Sequence, residues 1–329
     1  MIQQFQEYLG DNWPALFPGA ERPERFSFLQ AQGFRKPLLF VFVNKDSWPR
    51  LVIKISDQPG IAACLRKESE NLAKIKQANL NTELGAFPRS LFLDAINGYT
   101  VLMQSVIPGR AMSGFVGQGE ERQIHLAGQW LSRFHCATKA WGEQTDLSVG
   151  LQNSIEGFRA GRDFSQKEGQ FLKRMAQNAA NFKPENLPAV FRHYDFSPAN
   201  IILSNSGLAG VIDWEYAQFP DLPLIDLFNF LVRYHNRALI GRKQTKLDSD
   251  WTRSKKVGKT SQTIAAFRQT LFTASAYARL AKQAIAEYCA SLKIDPGLVK
   301  VLLLKYLIDD CDISWFRLLV EKEQDLILN

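Results

Sequence analysis

The strongest constraint on the fold lies between residues 191 and 215, where two short apolar runs are separated by turn residues and acids. The segment reads FRHYDFSPANIIL, then a turn, then GVIDWE. Pro198 predicts a tight turn that places Asp195 and Asn200 on one loop. The apolar runs predict a β-hairpin, which returns the chain so that Asp213 faces this loop.

These three polar side chains form a pattern that suits phosphoryl transfer. One carboxylate can orient an attacking hydroxyl group and accept its proton, and oxygen ligands can hold Mg²⁺ on the phosphates of a nucleotide. An ordinary polar turn in an α/β hairpin is the competing interpretation, because the spacing H-x-D-x-x-x-x-N is short. The position of Asp213 at the end of an apolar strand favours the catalytic interpretation.

The segment resembles the aminoglycoside phosphotransferase and choline kinase superfamily, whose members are distant relatives of protein kinases. The pattern of that family is H-x-D-x-x-x-x-N, then a hairpin, then an I-D-[WF]-E-like segment. The matching residues are His193, Asp195, Asn200 and Asp213. The resemblance implies that Asp195 is the catalytic base and that His193 supports the loop. It further implies that Asn200 and Asp213 are ligands of Mg²⁺. Tyr194 departs from the family, which usually has Gly or Arg at that position.

The resemblance also implies an α+β chain with the bilobal protein-kinase-like fold. A small β-rich N-lobe at residues 1–105 would bind the nucleotide. A larger, mainly helical C-lobe at residues 106–329 would carry the catalytic loop, the metal site and the substrate-binding helices. The sequence patterns agree, with one helix among the strands of the first hundred residues. They predict strands at 38–43, 51–55 and 99–104, and helices at 61–78, 120–140, 222–240, 262–292 and 297–327.

A lysine stands inside the second predicted strand. Lys54 lies among alternating apolar residues, where a charge is unfavourable unless it is used. A lysine that reaches solvent from an edge strand is the alternative. By resemblance, Lys54 holds the α- and β-phosphates of ATP, and Glu68 in the next helix pairs with it. Glu70 competes with Glu68 for this role, and two solvated helix charges are the plain alternative.

Two further nucleotide contacts are assigned by position alone. The hinge follows the strand at 99–104, and the backbone of Gln104, Val106 and Ile107 is expected to hydrogen-bond the adenine edge. The phosphate-covering loop is expected at residues 29–36, which contain one glycine instead of the G-x-G-x-x-G of protein kinases.

These assignments predict a kinase that depends on ATP and Mg²⁺ and acts on a hydroxyl group of a small molecule such as a sugar, an aminoglycoside or an amino alcohol. A choline- or ethanolamine-type kinase is one alternative, based on the sequence IDWEY at residues 212–216. A pseudokinase-like module that binds a nucleotide or another ligand is the non-enzymatic alternative, and the complete set of matching residues argues against it. A protein-substrate kinase is disfavoured, because no activation segment with A-P-E follows Asp213.

Composition and charge indicate which kinds of partner and which cellular compartment to expect. The 329 residues are 46% hydrophobic. The four cysteines are scattered along the chain, and this spacing argues against a disulfide framework or a zinc site. Without a signal peptide or a long apolar run, the chain is expected to be cytoplasmic, with no integral membrane segment. The net charge is +7, and a basic stretch at 237–259 is interpreted first as a solvated loop and second as a dock for an anionic substrate or a peripheral membrane contact. Nucleic acid is not expected, because few aromatic residues accompany the charges.

Three other polar features receive supporting roles. Asp226 lies within an apolar run, so it is expected to be buried and hydrogen-bonded. His135 matches a helical element of the family, and both residues are expected to be structural. The acids at residues 309–312 are interpreted as a solvated helix face, with contact to an amino-bearing substrate as the alternative.

Overall fold

A computed structural model describes residues 2–32, 37–80, 84–139, 147–180, 187–243, 265–310 and 313–322. Its helices are α1 (Ile2–Leu16), α2 (Pro59–Gln77), α3 (Glu120–Lys139), α4 (Leu147–Arg159), α5 (Gln166–Ala180), α6 (Ile225–Lys243), α7 (Ala276–Leu292), α8 (Val299–Asp310) and α9 (Ile313–Glu321). Its strands are β1 (Phe26–Gln32), β2 (Pro37–Val43), β3 (Leu51–Ser56), β4 (Ser90–Ile96), β5 (Tyr99–Ser105), β6 (Arg110–Ala111), β7 (Val190–Arg192), β8 (Ile201–Ser204), β9 (Gly207–Val211) and β10 (Gln218–Asp221).

The chain divides into two units, neither of which is continuous in sequence. The first consists of Met1–Arg110 and Ser204–Ala217, and the second of Ala111–Leu203 and Gln218–Asn329. The sequence interpretation divides the chain once, near residue 105, whereas the structure adds β9 and the residues that follow it to the first unit. The sheet of the first unit and the helices of the second confirm the predicted α+β class.

The first unit is built on a five-stranded antiparallel sheet with the strand order β1-β2-β3-β5-β4. In this sheet β3 is a central strand, and Lys54 lies opposite Leu38 of β2 and Leu102 of β5. Side chains alternate between the two faces of a strand. Lys54 therefore points to the face opposite that of its neighbours Ile53 and Ile55.

Helix α1 covers the face of the sheet that carries Ile53 and Ile55. Its buried side chains Phe5, Leu9 and Trp13 form one apolar core with this face. The sequence interpretation misses this helix, since Gly10, Asp11, Asn12 and Pro14 all have low helix propensity. Packing of the apolar stripe against the sheet outweighs that preference.

The predicted hairpin and the predicted helix of the first unit are confirmed. Strands β2 and β3 pair in antiparallel register, and α2 spans the residues whose apolar spacing is helical. Helix α2 buries one stripe that includes Leu65, Leu72 and Ile75. The same stripe buries Glu68, which places a carboxylate on the side of the helix that faces the sheet.

The second unit is helical, with a two-stranded sheet formed by β7 and β10. Its core is rich in aromatic side chains: Trp130 of α3 stacks on Phe134 at 5.1 Å and on Phe196 at 5.6 Å between ring centroids. Phe196 also contacts Phe230 of α6. The residue next to Asp195 is thus anchored in the core of this unit.

Two predicted helices are divided in the structure, since the prediction at 297–327 corresponds to α8 and α9. The pattern at 262–292 predicts a continuous helix, whereas the described residues form a helical segment at 265–271 and then α7. Ser275 causes the second start, because its side chain accepts a hydrogen bond from the backbone N–H of Ala278 and caps α7. Among the described residues, every helix is too short or too polar to cross a bilayer.

Candidate functional site

The first unit contains a partly buried group of charged side chains, here called the lysine cluster and defined as Lys54, Glu68, Asp213 and Glu215. Strand β3 contributes Lys54 and α2 contributes Glu68, whereas the two other acids follow β9. Lys54 is 7% exposed and Glu68 is fully buried, so neither charge is solvated by bulk water. Of the two glutamates that the sequence offers as partners of Lys54, Glu70 is exposed.

Lys54 has carboxylate partners on two sides. Its Nζ donates to both carboxylate oxygens of Glu68, at 2.6 and 2.7 Å, and to Oδ1 of Asp213 at 2.9 Å. Burial alone would lower the pKa of Lys54, but the charges of Glu68 and Asp213 outweigh it and raise the pKa above its ordinary value. The lysine therefore carries its positive charge throughout the physiological range.

The acids of the lysine cluster offer oxygen atoms that suit a metal ion. Oxygens of Glu68, Asp213 and Glu215 all lie within 4.8 Å of one another. Carboxylate oxygens are the ligands that Mg²⁺ prefers, so this donor set fits that ion. Asp213 has a φ angle of 69°, in the left-handed region that few non-glycine residues adopt. Such strain is typical of functional sites, where the surrounding structure holds it in place.

A buried asparagine fixes the backbone that follows Asp213. The side-chain amide of Asn71, on α2, donates to the carbonyl oxygens of Trp214 at 2.8 Å and Ala217 at 2.9 Å. Trp214 is fully buried and packs against Phe87. Asn71 is not evident as a site residue from the sequence, because its partners are backbone atoms more than 140 positions away.

The predicted hinge residues lie at the end of β5. Gln104 belongs to this strand and its side chain is buried, whereas Val106 and Ile107 lie just beyond the strand end. Ile107 reaches Gly210 of β9 so closely that a Cβ atom on Gly210 would lie 2.7 Å from its Cδ1 and 2.0 Å from the carbonyl oxygen of Ala86. Glycine is thus required at position 210.

In the predicted phosphate-covering loop, residues 29–32 form part of β1, and 33–36 lie outside the described residues.

The second unit carries the other predicted residues on a turn, here called the aspartate loop and defined as residues 193–200. The side-chain amide of Asn200 donates to Oδ2 of Asp195 and to its backbone carbonyl, both at 2.9 Å. The carbonyl oxygen of Ser197 accepts from the backbone N–H of Asn200. Asn200 keeps its Oδ1 as a further oxygen donor for a cation.

Asp226 holds the start of the aspartate loop. This fully buried residue accepts hydrogen bonds from the backbone N–H groups of His193 at 2.6 Å and Tyr194 at 3.0 Å. Tyr194 has a φ angle of 68°, and the guanidinium of Arg192 lies over its ring at 3.7 Å. Burial raises the pKa of Asp226, against the opposing charge of Arg192. The expected burial of Asp226 is confirmed, and its geometry stabilises the left-handed residue beside Asp195.

His135 of α3 joins the same buried network. Its Nδ1 lies 2.5 Å from the hydroxyl group of Tyr288 on α7, and its Nε2 lies 3.9 Å from Asp226. The Tyr288 hydroxyl also accepts from the backbone N–H of Leu224, just before α6. Burial lowers the pKa of His135 from 6.5 to about 3, so the imidazole is neutral.

An arginine on α6 contacts Asp195 directly. Nη1 of Arg233 donates to Oδ1 of Asp195 at 2.6 Å, and about half of the arginine side chain is exposed. The two oxygens of the Asp195 carboxylate therefore have different donors, Arg233 on one and Asn200 on the other. The sequence analysis does not identify Arg233, because an exposed helical arginine carries no pattern of its own.

The structure therefore groups the predicted residues into two sets. Lys54, Glu68 and Asp213 meet in the first unit, and Asp195 and Asn200 meet in the second. Gln104, Val106 and Ile107 belong to the first unit as well, at the end of β5.

Comparison with known proteins gives a family. Residues 33–255 match the phosphotransferase enzyme family. A search of curated proteins finds no significant match.

Several solved structures are similar over most of the chain. One is aminoglycoside phosphotransferase APH(3'')-Id from Streptomyces rimosus in complex with ADP and streptomycin, which is 14% identical, with 94% of this chain and 97% of that chain covered and a TM-score of 0.49. A thermostable mutant of aminoglycoside phosphotransferase APH(4)-Ia with ADP and hygromycin B is 13% identical, with 92% and 89% covered and a TM-score of 0.49. The GDP complex of aminoglycoside 2'-phosphotransferase-IIIa is 15% identical, with 92% and 98% covered and a TM-score of 0.41.

The family match includes β2 to β10 and all residues of the lysine cluster and the aspartate loop. Because it spans more than half of the sequence, this chain belongs to the phosphotransferase enzyme family.

Proposed function

We propose that this protein is a kinase that transfers the γ-phosphoryl group of ATP to a hydroxyl group of a small molecule, with Mg²⁺ as its metal. The observation that carries the proposal is the set of three hydrogen bonds that Nζ of Lys54 donates to Glu68 and Asp213. A buried lysine held by Glu68 and by Asp213 of the IDWE segment is costly for a purely structural purpose, because removing these charges from water opposes their mutual attraction. Phosphate binding gives that arrangement a use.

In this proposal the first unit binds the nucleotide. Lys54 contacts the α- and β-phosphates with the positive charge that Glu68 maintains. The backbone of Gln104, Val106 and Ile107 binds the adenine edge. ADP and AMP-PNP complexes of similar phosphotransferases support a nucleotide as the ligand.

The second unit supplies the base. Asp195 accepts the proton of the acceptor hydroxyl as its oxygen forms a bond to the γ-phosphorus. The bond between this phosphorus and the β–γ bridging oxygen breaks, and ADP leaves. The side-chain amide of Asn200 holds Oδ2 of Asp195 in a fixed position, which reduces the reorganisation needed during the transfer.

The metal would be held by oxygen donors that the chain already presents. In the first unit, Asp213 and Glu215 of the lysine cluster are suited to Mg²⁺. In the second unit, Oδ1 of Asn200 is an oxygen donor of the same kind. When bound, the ion supplies positive charge that neutralises the phosphate oxygens. Glu68 is less available, because both of its oxygens accept hydrogen bonds from Lys54.

An assay of ADP release tests the proposal. The purified chain is incubated with ATP, Mg²⁺ and a panel of sugars, amino alcohols, hydroxy acids and aminoglycosides. We expect release that depends on both Mg²⁺ and one class of acceptor. Asp195→Asn should reduce turnover about 10²- to 10⁴-fold, because the general base is lost, and should leave nucleotide binding intact.

The matched control is Asp46→Asn, which changes an exposed acid in the turn after β2. This variant should keep wild-type turnover. Full activity in Asp195→Asn would contradict the assignment of the base. Nucleotide binding without any turnover, across the whole panel, would favour a ligand-binding module instead of an enzyme.

A further inference from the structure

Two exposed arginines lie on one face of α6 beside the aspartate loop. Arg233 and Arg237 are four residues apart, so their side chains are neighbours on the helix surface. Arg233 contacts Asp195, as described above. Nε of Arg237 donates to the carbonyl oxygen of Ser113 at 2.9 Å, and the backbone N–H of Ser113 donates to the carbonyl oxygen of Pro198 at 2.8 Å. Both arginines are therefore connected to the loop that carries the proposed base.

These contacts use a minority of the N–H groups that the arginines offer. A guanidinium group has five N–H donors in a fork that matches the two oxygens of a carboxylate or a phosphate. In the described part of the chain, Arg233 donates through Nη1 to Asp195 and Arg237 donates through Nε to Ser113. With respect to the residues that the structure describes, the other donors of each guanidinium are available for a ligand.

Arg233 lies close to the position that the hydroxyl group of the acceptor must occupy. A hydroxyl group that gives its proton to Asp195 must lie about 2.6–3.2 Å from the carboxylate. Arg233 Nη1 lies 2.6 Å from the same carboxylate. The reacting oxygen and this guanidinium nitrogen are thus within about 6 Å of each other. A charged substituent one or two carbons from the hydroxyl group can therefore reach the guanidinium.

We propose that Arg233, with Arg237 behind it, binds an anionic group of the acceptor, so that the substrate is a hydroxyl compound that carries a carboxylate or a phosphate. This inference rests on the proposed kinase function. A cationic amino group beside the reacting hydroxyl would meet a like charge at this distance, which disfavours amino alcohols such as choline and ethanolamine.

A competing role for Arg233 is contact with the transferred phosphoryl group. An arginine in that role stabilises the transition state for every acceptor alike, so its removal lowers kcat throughout. An arginine that binds the acceptor changes KM, and only for acceptors that carry the anion. The two roles are therefore separated by kinetics on matched substrates.

The experiment uses two sets of acceptors, each with a constant carbon skeleton. One set is glycerol, glycerate, glycerol 3-phosphate and 3-amino-1,2-propanediol. The other is glucose, glucuronate, glucose 6-phosphate and glucosamine. For wild type we expect kcat/KM for the best anionic member to exceed that for its amino counterpart at least tenfold. The carboxylate and phosphate members show which anion is preferred.

The variants then test the residue. Arg233→Gln should raise KM for the preferred anionic acceptor at least tenfold and change the neutral member less than about threefold, because the lost contact is a charge-assisted hydrogen bond. Arg233→Lys should recover part of the loss, since it restores the charge without the fork. Arg279→Gln, which changes an exposed arginine of α7, is the control and should behave as wild type.

Three results would overturn the inference. The first is a preference for neutral or amino acceptors, and the second is a fall in kcat of equal size for all acceptors in Arg233→Gln. The third is the absence of turnover with every anionic member while Mg·ATP still raises the unfolding temperature. Loss of that nucleotide effect in wild type would instead contradict the proposed kinase function, which keeps the two failures distinct.

Discussion

A lysine in the central strand of a sheet is unfavourable at the scale of a single residue unless its charge is compensated. Lys54 is 7% exposed, and its two carboxylate partners supply that compensation. The pairing does not make the cluster stabilising relative to apolar residues, because desolvation of buried charges opposes their attraction. The loss of Lys54, however, leaves Glu68 buried without its counter-charge.

Replacement of the lysine tests this balance. Lys54→Met should lower the free energy of unfolding by about 3–5 kcal/mol, because Glu68 remains buried without its counter-charge. The double variant Lys54→Met/Glu68→Gln should regain part of this loss, which shows the coupling between the two side chains. Denaturant unfolding measures both effects.

The control for this prediction is Lys67→Met on α2, where an exposed lysine lies 3.9 Å from Glu70. An exposed pair contributes about 0–1 kcal/mol, so this variant should unfold nearly as wild type does. Equal destabilisation by Lys54→Met and Lys67→Met would show that Lys54 is not the buried, paired charge described here.

Single residues differ in how far the sequence reveals them. Asp195, Asn200 and Asp213 share a spacing that phosphoryl-transfer chemistry explains, and Asp226 stands out as an acid in an apolar run. Asn71 and Arg233 have no such signal. Their roles depend on which backbone carbonyl or carboxylate the fold brings to them, and that information is not local in sequence.

At the scale of elements, the buried contact between α3 and α7 supports the aspartate loop. His135 and Tyr288 join these helices, and their polar atoms connect to Asp226 and Leu224. Since burial holds the pKa of His135 near 3 in the folded state, the unfolded state binds a proton first as the pH falls below 6.5. The histidine therefore makes the fold less stable from pH 6.5 down to about pH 3, and the lost stability returns as the pH rises.

This linkage gives a measurable pH dependence. Between pH 7.5 and pH 5, His135 should reduce the free energy of unfolding by about 2 kcal/mol, because each pH unit below 6.5 contributes about 1.4 kcal/mol. His135→Gln should lack this part of the slope. Asp226, whose raised pKa gives a slope of opposite sign, is present in both proteins, so the difference isolates the histidine.

Urea unfolding at several pH values measures the effect, and His125→Gln is the matched control. His125 lies on the same helix with half of its side chain exposed, 3.7 Å from Glu287, so its replacement shows the effect of removing a histidine that is not buried. An identical slope in His135→Gln and wild type would contradict the buried, neutral state of His135.

Elements with a strong periodic pattern are predicted well, and the others are not. The β2–β3 hairpin and α2 follow from apolar spacing, because each buries one face. Helix α1 contains residues that disfavour helices, and packing on the sheet decides its conformation. The break before α7 depends on one capping hydroxyl group, which is a weaker signal than the helical pattern on both sides of it.

At the scale of the whole molecule, the first unit includes residues 204–217, which come from the middle of the sequence range of the second unit. The backbone N–H of Ala86 donates a hydrogen bond to the carbonyl oxygen of Ala209, and Ala86 forms a parallel β-bridge with Gly210. This pairing attaches β9 to the first unit. Asp213 consequently belongs to the unit of Lys54, although it follows Asp195 by 18 positions in the sequence. A division at a single point of the sequence does not include this return, because the return depends on contacts between distant segments.

The most direct test of the central claim is thermal unfolding of the full chain with and without Mg·ATP, compared with Asp213→Asn. At a nucleotide concentration a hundred times its Kd, binding contributes about 2.7 kcal/mol and should raise the unfolding temperature of wild type by several degrees. The rise should require Mg²⁺ and should disappear in Asp213→Asn, measured against that variant's own baseline. No rise with any nucleotide, or an equal rise in Asp213→Asn, would contradict a nucleotide and metal site at the lysine cluster.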